Sequence, residues 1–163
     1  MSAMGAAPRF LVDGMLIRLG KYLRCIGIDA EWERGAGTRA LARRADLEDR
    51  VLLTRNTRVG TEIEPPRRWR VLASEDPVEG LREVLGAFAI DPAELLFTRC
   101  IRCNVELVRA TPEEIEAHVL PAVRARHELF FSCPRCRTVF WHGSHVVNTC
   151  AKLGITPPGS MRP

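Results

Sequence analysis

Four cysteines in the second half of the chain form two matched pairs. Cys100 and Cys103 make one C-x-x-C motif and Cys133 and Cys136 make the other, separated by residues 104–132. Two such turns supply four thiolates, the tetrahedral shell that zinc prefers, with bonds of about 2.3 Å. We therefore predict one structural zinc ion in a zinc ribbon, because four thiolates leave no open coordination position for water.

Other uses of the cysteines and histidines are less consistent with the sequence. A redox pair would not account for two matched motifs, and disulfides would suit a secreted protein, whereas residues 1–8 do not resemble a secretory signal. His142 and His145 follow the second pair and leave a mixed Cys/His shell open, although we expect them at the surface or facing RNA. Cys25 and Cys150 are expected to be small buried side chains.

Asp13 is the best candidate for chemistry outside the cysteines. It follows a short apolar run, and a carboxylate at the end of the first strand of an open α/β sheet lies beside the crevice where such sheets bind ligands. One carboxylate holds Mg²⁺ or Mn²⁺ weakly, so other acids must converge on it. Glu75 and Asp76, after the fourth predicted strand, could supply them, although Asp76 is equally well explained as a helix N-cap.

Six arginines lie on or near the elements that would frame this crevice. Guanidinium groups suit phosphate, so these residues are candidate RNA contacts, with a solvated charged face as the alternative. Trp69, within a run of three arginines, is either a base-stacking residue or part of the core. The six candidates are Arg18, Arg24, Arg39, Arg43, Arg44 and Arg55.

The spacing of apolar residues predicts the elements that position these groups. Strands at 9–12, 28–33, 51–54 and 69–73 alternate with helices over about 15–26, 38–45 and 77–88, which indicates a mostly parallel sheet flanked by helices. After about residue 95 we expect a capped helix starting at Thr111, strands at 128–132 and 138–141, and a last helix capped by Ser144. The predicted division is an α/β domain over 9–95, a zinc-ribbon module over 96–154 and a flexible tail over 155–163.

Composition sets the broad class. The chain has 163 residues, 46% of them hydrophobic and 27% charged, as expected for a soluble globular protein. No apolar run approaches the roughly 20 residues of a membrane span, so we expect the cytoplasm and no membrane contact. The net charge of +4 suits a polyanion such as RNA, although an arginine bias also follows from a GC-rich genome.

Five segments together resemble the Mut-seven C-terminal RNase domain family, from about Arg9 to Thr149. The segments are Arg9-Phe10-Leu11-Val12-Asp13-Gly14-Met15-Leu16, Tyr22-Leu23-Arg24-Cys25-Ile26-Gly27, Leu53-Thr54-Arg55-Asn56, Arg99-Cys100-Ile101-Arg102-Cys103-Asn104 and Trp141-His142-Gly143-Ser144-His145. The resemblance implies a PIN-like (Rossmann-like) domain, a zinc ribbon and a metal-dependent ribonuclease. Its acids are expected at Asp13, at the start of the second helix and directly after the Leu-Thr-Arg strand, but Thr38 and Asn56 occupy the last two positions.

Two main hypotheses follow from that resemblance. The first is an endoribonuclease in which Asp13, helped by Glu75 or Asp76 and by Asn56, holds Mg²⁺ or Mn²⁺. The second is a non-catalytic RNA-binding or RNA-protein scaffold with a structural zinc ribbon. A protein-binding adaptor and a homodimer stay open.

Overall fold

The computed structural model describes residues 7–93 and 95–156, without the side chain of His145. Its first half alternates strands and helices, as predicted from the sequence. The elements are β1 (Phe10–Val12), a 3-10 turn (Gly14–Leu16), α1 (Ile17–Cys25), β2 (Ala30–Trp32), α2 (Thr38–Leu47), β3 (Val51–Thr54), β4 (Trp69–Val71) and α3 (Pro77–Ala87). The strands form one parallel sheet in the order β2-β1-β3-β4, so the predicted α/β class is confirmed.

The two central strands are buried on both faces, and alternate residues pack into different cores. Phe10 and Val12 of β1 lie in a core with residues of α1 and α3. Leu11 of β1 and Leu52 of β3 instead join a smaller core with α2. Side chains alternate across a strand, so the continuous apolar runs in β1 and β3 follow from helices covering both faces of the sheet.

The second half contains a small antiparallel sheet and a helix that returns to the first core. Its elements are β5 (Val108–Arg109), α4 (Pro112–His118), α5 (Pro121–Arg124), β6 (Phe130–Ser132), β7 (Val139–Trp141) and α6 (Ser144–Leu153), with sheet order β5-β6-β7. The capping box predicted at Thr111 is present. The predicted cap at Ser144 is wrong, because Gly143 is the N-cap of α6 and provides no side-chain hydrogen bond.

Helix α6 packs against the core of the α/β half. Val146, Cys150 and Leu153 are buried in the same core as Phe10 and Val12. The segment that carries the cysteines is therefore tied to the α/β core at both of its ends. The division into domains at residues 95 and 96 stays a prediction, and residues 157–163 of the predicted tail lie outside the described part.

None of the helices in the described part of the chain combines the length and the apolar character needed to cross a bilayer.

Candidate functional sites

The four predicted zinc ligands lie together. The Sγ atoms of Cys100, Cys103, Cys133 and Cys136 are all within 4.8 Å of one another, and those of Cys100 and Cys136 are 3.8 Å apart. A tetrahedron with zinc–sulfur bonds of about 2.3 Å has edges of about 3.8 Å, so the donor set fits zinc. The four cysteines thus form a site that can hold such an ion, and a C-terminal zinc ribbon is confirmed as part of the fold.

The two C-x-x-C turns have the same backbone geometry. The N–H of Cys100 donates to the carbonyl of Val105 and that of Asn104 donates back to Cys100, at 2.8 and 2.9 Å. In the second turn the N–H of Cys133 donates to the carbonyl of Thr138, and the N–H of Arg137 donates to the carbonyl of Cys133, at 3.0 and 2.9 Å. The residue after each second cysteine, Asn104 or Arg137, has φ of 61°. Both turns therefore aim their thiols at a common point.

The thiols differ in their readiness to ionise. Burial raises the pKa of Cys100 to about 12. Hydrogen bonding with the Thr138 hydroxyl, which lies 3.3 Å from the sulfur, lowers the pKa of Cys136 to about 6. A metal that binds all four sulfurs as thiolates must displace the proton from Cys100 at neutral pH.

Arg24 joins the first C-x-x-C turn to the parallel sheet. Its side chain is buried, and its Nη1 donates to the carbonyls of Ile101 and Arg102 at 3.0 and 3.1 Å. Its Nε donates to the carbonyl of Ala30 at 2.7 Å, and its guanidinium lies 3.7 Å from the centre of the Trp32 ring. Arg24 was predicted as an RNA contact, but its donors are used inside the protein.

Asn104 makes a second link from the cysteine turn to the same strand. Its Oδ1 accepts from the N–H of Ala30 at 3.2 Å, and its Nδ2 donates to Asp29 and Glu31 at 2.8 and 2.9 Å. Strand β2 is at the edge of the sheet, so these bonds cover backbone and side-chain groups that would otherwise face solvent. This role of Asn104 was not predicted, and an Asn directly after a C-x-x-C motif is the local signal for it.

At the opposite end of the strands, the positions of the expected acids do come together. Asp13 is 8% exposed, and its Oδ2 accepts from the Thr54 hydroxyl at 2.8 Å. The Thr54 oxygen accepts from the N–H of Asn56, and the Nδ2 of Asn56 donates to the Thr38 hydroxyl, both at 3.0 Å. We call this set of four residues the edge chain. Asp13 is its only carboxylate.

The edge chain does not fit a divalent cation well. The second oxygen of Asp13 accepts from the N–H of Met15, and the Oδ1 of Asn56 accepts from that of Arg58, at 3.3 and 3.1 Å. Within residues 7–93 and 95–156, the four cysteines are the sole cluster of three or more His, Cys, Asp or Glu side chains placed to hold a metal. Hard cations such as Mg²⁺ need several oxygen ligands, which these residues do not gather.

The two acids predicted to help Asp13 have other partners. Glu75 pairs with Arg55 at 3.0 Å, with its side chain 85% exposed. Asp76 caps helix α3 by accepting from the N–H groups of Val78 and Glu79, at 2.9 and 3.0 Å. Glu75 is thus paired with an arginine at the surface. Asp76 is a helix N-cap, which was the alternative role expected for it.

The remaining candidate arginines fall into two groups. Arg18, Arg39 and Arg43 are exposed, and none of them has an ion pair with any described residue. Arg44 is held by Glu48 and Glu33, and Arg55 is held by Glu75. Arg34, on the loop after β2, is also exposed without a described ion pair. It was not among the predicted contacts because it lies outside the predicted elements.

The basic run around Trp69 is built into the fold. Arg67, Arg68 and Arg70 pair with Asp46, Asp49 and Glu83. The Trp69 ring packs against Gly60, whose Cα leaves no room for a Cβ, since that atom would lie 2.9 Å from the ring. These contacts hold the ring against the fold, but Trp69 is 37% exposed and belongs to none of the described cores, so its interpretation as part of the core is wrong and base stacking stays a prediction.

His142 is partly buried between aromatic rings, near Phe97 and Phe131 with ring centres 5.6 and 5.8 Å away. The predicted surface role of His145 falls on a side chain outside the described part. Neither histidine is needed to complete the cysteine cluster, which already offers four ligands.

Comparison with known proteins gives one match. The family described as the Mut7-C RNAse domain matches residues 8–153. Neither the curated proteins nor the solved structures provide a significant match.

Proposed function

The chain belongs to the Mut7-C RNAse domain family, and we propose that it binds RNA at the carboxyl edge of its parallel sheet without cleaving it. The edge chain carries this proposal. It keeps the geometry in which Asp13, Thr38 and Asn56 are linked through Thr54, but it retains one carboxylate where metal-dependent hydrolysis of a phosphodiester gathers several.

The charge around the edge supports a polyanionic ligand. Arg18, Arg34 and Arg39 follow the carboxyl ends of β1 and β2, and all three are exposed without a described ion pair. With Asp in place of Thr38 and Asn56, two more negative charges would face an incoming phosphate. The absence of these two carboxylates weakens metal binding and also removes their repulsion of RNA phosphate.

The cysteine cluster completes the proposed function as a structural element. We propose zinc as its ion, since the sulfur spacing matches a tetrahedral shell with no vacant position. Cys25 and Cys150 are buried as free thiols, which suits a reducing compartment such as the cytoplasm. Arg24 and Asn104 then transmit the order of the metal-bound turn to strand β2.

A paired cleavage and binding assay tests the proposal. Labelled single-stranded and structured RNAs are incubated with the zinc-loaded protein in Mn²⁺ or Mg²⁺, beside the variant Asp13→Asn. We expect binding that weakens as salt rises, no cleavage, and a variant that binds RNA at least as well as the natural protein. Cleavage by the natural protein that is lost in Asp13→Asn would contradict the proposal and support the endoribonuclease, the second candidate, which the buried and intact Asp13 favours.

A further inference from the structure

A groove runs along helix α2, next to the edge chain. Its volume is about 290 Å³, and it lies between α2 and the loop that joins β3 to β4. Helix α2 contributes Arg39, Ala42, Arg43 and Asp46, whose spacing of three and four places them on one face of the helix. Residues 64–66 of the loop form the other wall. We call this feature the α2 groove, and its size is near the lower limit of about 300 Å³ for small-molecule sites.

The balance of charge in the α2 groove favours an anionic group. Arg39 and Arg43 are exposed, and no described residue pairs with either. The charge of Asp46 is compensated, because its Oδ1 accepts from the backbone N–H of Arg67 at 2.7 Å and pairs with the guanidinium at 3.4 Å. Two guanidinium groups therefore face one uncompensated carboxylate, that of Glu64.

The remaining lining of the groove is rigid and apolar. Pro65 and Pro66 have fixed φ angles, so their wall needs little ordering when a ligand binds. Ala42, which is 5% exposed, contributes a small side chain to the lining and leaves space that a larger residue would occupy. The volume of about 290 Å³ leaves room for a group the size of a nucleobase.

We propose that the α2 groove binds one unpaired nucleotide of an RNA strand. Arg39 and Arg43 hold its phosphate, the base packs against the proline wall, and Glu64 accepts a hydrogen bond from a ribose hydroxyl or a base amino group. This inference rests on the proposed RNA binding and deepens it by adding a nucleotide subsite. The subsite lies beside the edge chain, because Arg39 directly follows Thr38 in the sequence.

The first test removes the two guanidinium groups. Binding of a short fluorescein-labelled single-stranded RNA to the zinc-loaded full chain is measured by anisotropy at several salt concentrations. Arg39→Gln/Arg43→Gln should weaken binding about tenfold and make the slope of log K against log salt shallower by roughly one unit. The control, Arg82→Gln/Arg126→Gln, removes the same charge from exposed residues outside the groove and should stay within about twofold of the natural protein.

The second test fills the groove without changing its charge. Ala42→Met should weaken RNA binding about fivefold with an unchanged salt slope, since it removes space and no phosphate contact. Its melting temperature is measured alongside, because Ala42 is itself a buried member of the core around Leu41. If RNA binds the natural protein and both groove variants equally well, the subsite is overturned and the proposed function survives.

A titration with nucleoside monophosphates separates the two proposals when RNA does not bind at all. Amide chemical shifts that move in residues 39–46 and at Glu64 would support a nucleotide site even though the proposed RNA binding had failed. Absence of both RNA binding and these shifts would overturn both proposals.

Discussion

Thr38 and Asn56 stand where two further carboxylates would convert the edge chain into a cation site. Their side chains are in direct contact, with the Asn56 Nδ2 3.0 Å from the Thr38 oxygen, and Asn56 is linked to Asp13 through Thr54. These positions therefore lie together, but among them only Asp13 carries a charge. At the residue scale, the proposed function makes two side chains the difference between a nuclease centre and an RNA-binding edge.

Restoring both acids should create a Mn²⁺ site. In Thr38→Asp/Asn56→Asp two carboxylates would stand about 3 Å apart beside Asp13, and like charges at that distance cannot all ionise without a cation. We expect a protein that is less stable than the natural one without metal and gains several degrees in melting temperature with Mn²⁺.

The matched control for this variant is Thr38→Asn, which alters the contact and adds no charge. A melting temperature that does not respond to Mn²⁺ in the double variant would argue that the edge has been remodelled. RNA cleavage is assayed in the same samples, to establish whether metal binding restores hydrolysis.

Gly27 is a second residue at which one atom decides the local structure. It has φ of +85°, and a Cβ there would lie 1.9 Å from the carbonyl oxygen of Leu95. Gly35 also has a positive φ, +75°, but a Cβ there would meet nothing within 4 Å. Gly27 thus lets the segment before the cysteine turn lie against the end of helix α1.

Comparing Gly27→Ala with Gly35→Ala separates backbone strain from steric exclusion. Gly35→Ala should lower the free energy of unfolding by about 1 kcal/mol, the cost of a left-handed conformation for an L residue. Gly27→Ala carries the same strain plus a clash with backbone and should lose about 3 kcal/mol or more. Urea unfolding measures both, and equal losses would contradict the contact with Leu95.

At the scale of elements, strand β2 is where the two halves of the chain meet. Arg24 and Asn104 hold the cysteine turn against it, and Asp29 lies at its start. Burial alone would raise the pKa of Asp29, but hydrogen bonds from Arg50 and Asn104 outweigh it and hold that pKa below its ordinary value. The carboxylate form of Asp29 therefore stabilises this junction.

Acid should weaken the junction through Asp29. A lowered pKa in the folded state contributes stability that is present above the unfolded pKa of about 3.9 and is lost as pH falls through the folded value. Asp29→Asn should therefore cost about 1–3 kcal/mol at pH 7 and show a shallower loss of stability below about pH 4.

The control for this prediction is Glu116→Gln, which removes the same charge from an exposed residue of helix α4. Urea unfolding of both variants at several pH values provides the comparison. If the free energy of unfolding falls equally steeply with acid in Asp29→Asn and in the natural protein, the role given to Asp29 is ruled out.

Local sequence patterns predicted most of the elements and the four cysteine ligands, but not the short β5 and α5. Features that depend on long-range contacts were not predicted. Strand β3 was predicted at its observed residues because a continuous apolar run indicates a strand covered on both faces. Arg24 lies on helix α1 among candidate RNA contacts, and no local pattern distinguishes an arginine that binds phosphate from one that binds the carbonyls of residues 101 and 102. The return of α6 to the first core likewise depends on partners more than 100 positions away, such as Phe10 and Val12.

At the scale of the whole molecule, the cysteine segment is an insertion between two parts of one core. It begins after helix α3 and ends before helix α6, and residues of both helices are buried with Val12. Five hydrogen bonds attach its first turn to the α/β half: Arg24 donates two to the carbonyls of residues 101 and 102, and Asn104 makes three with residues 29–31. An ion that orders the insertion should therefore affect the stability of the α/β core as well.

Zinc removal tests this coupling. Unfolding is followed by near-ultraviolet circular dichroism in a Trp141→Phe background, so that the tryptophan signal comes from the parallel sheet, where Trp32 packs beneath Arg24 and Trp69 begins β4. We expect chelation to lower the free energy of unfolding of the α/β core by about 2–4 kcal/mol, since the docking bonds each contribute about 0.5–1.5 kcal/mol and not all are lost. Asn104→Ala with zinc bound should reproduce part of that loss. If neither chelation nor Asn104→Ala changes the free energy of unfolding of the α/β core, the insertion folds independently of that core.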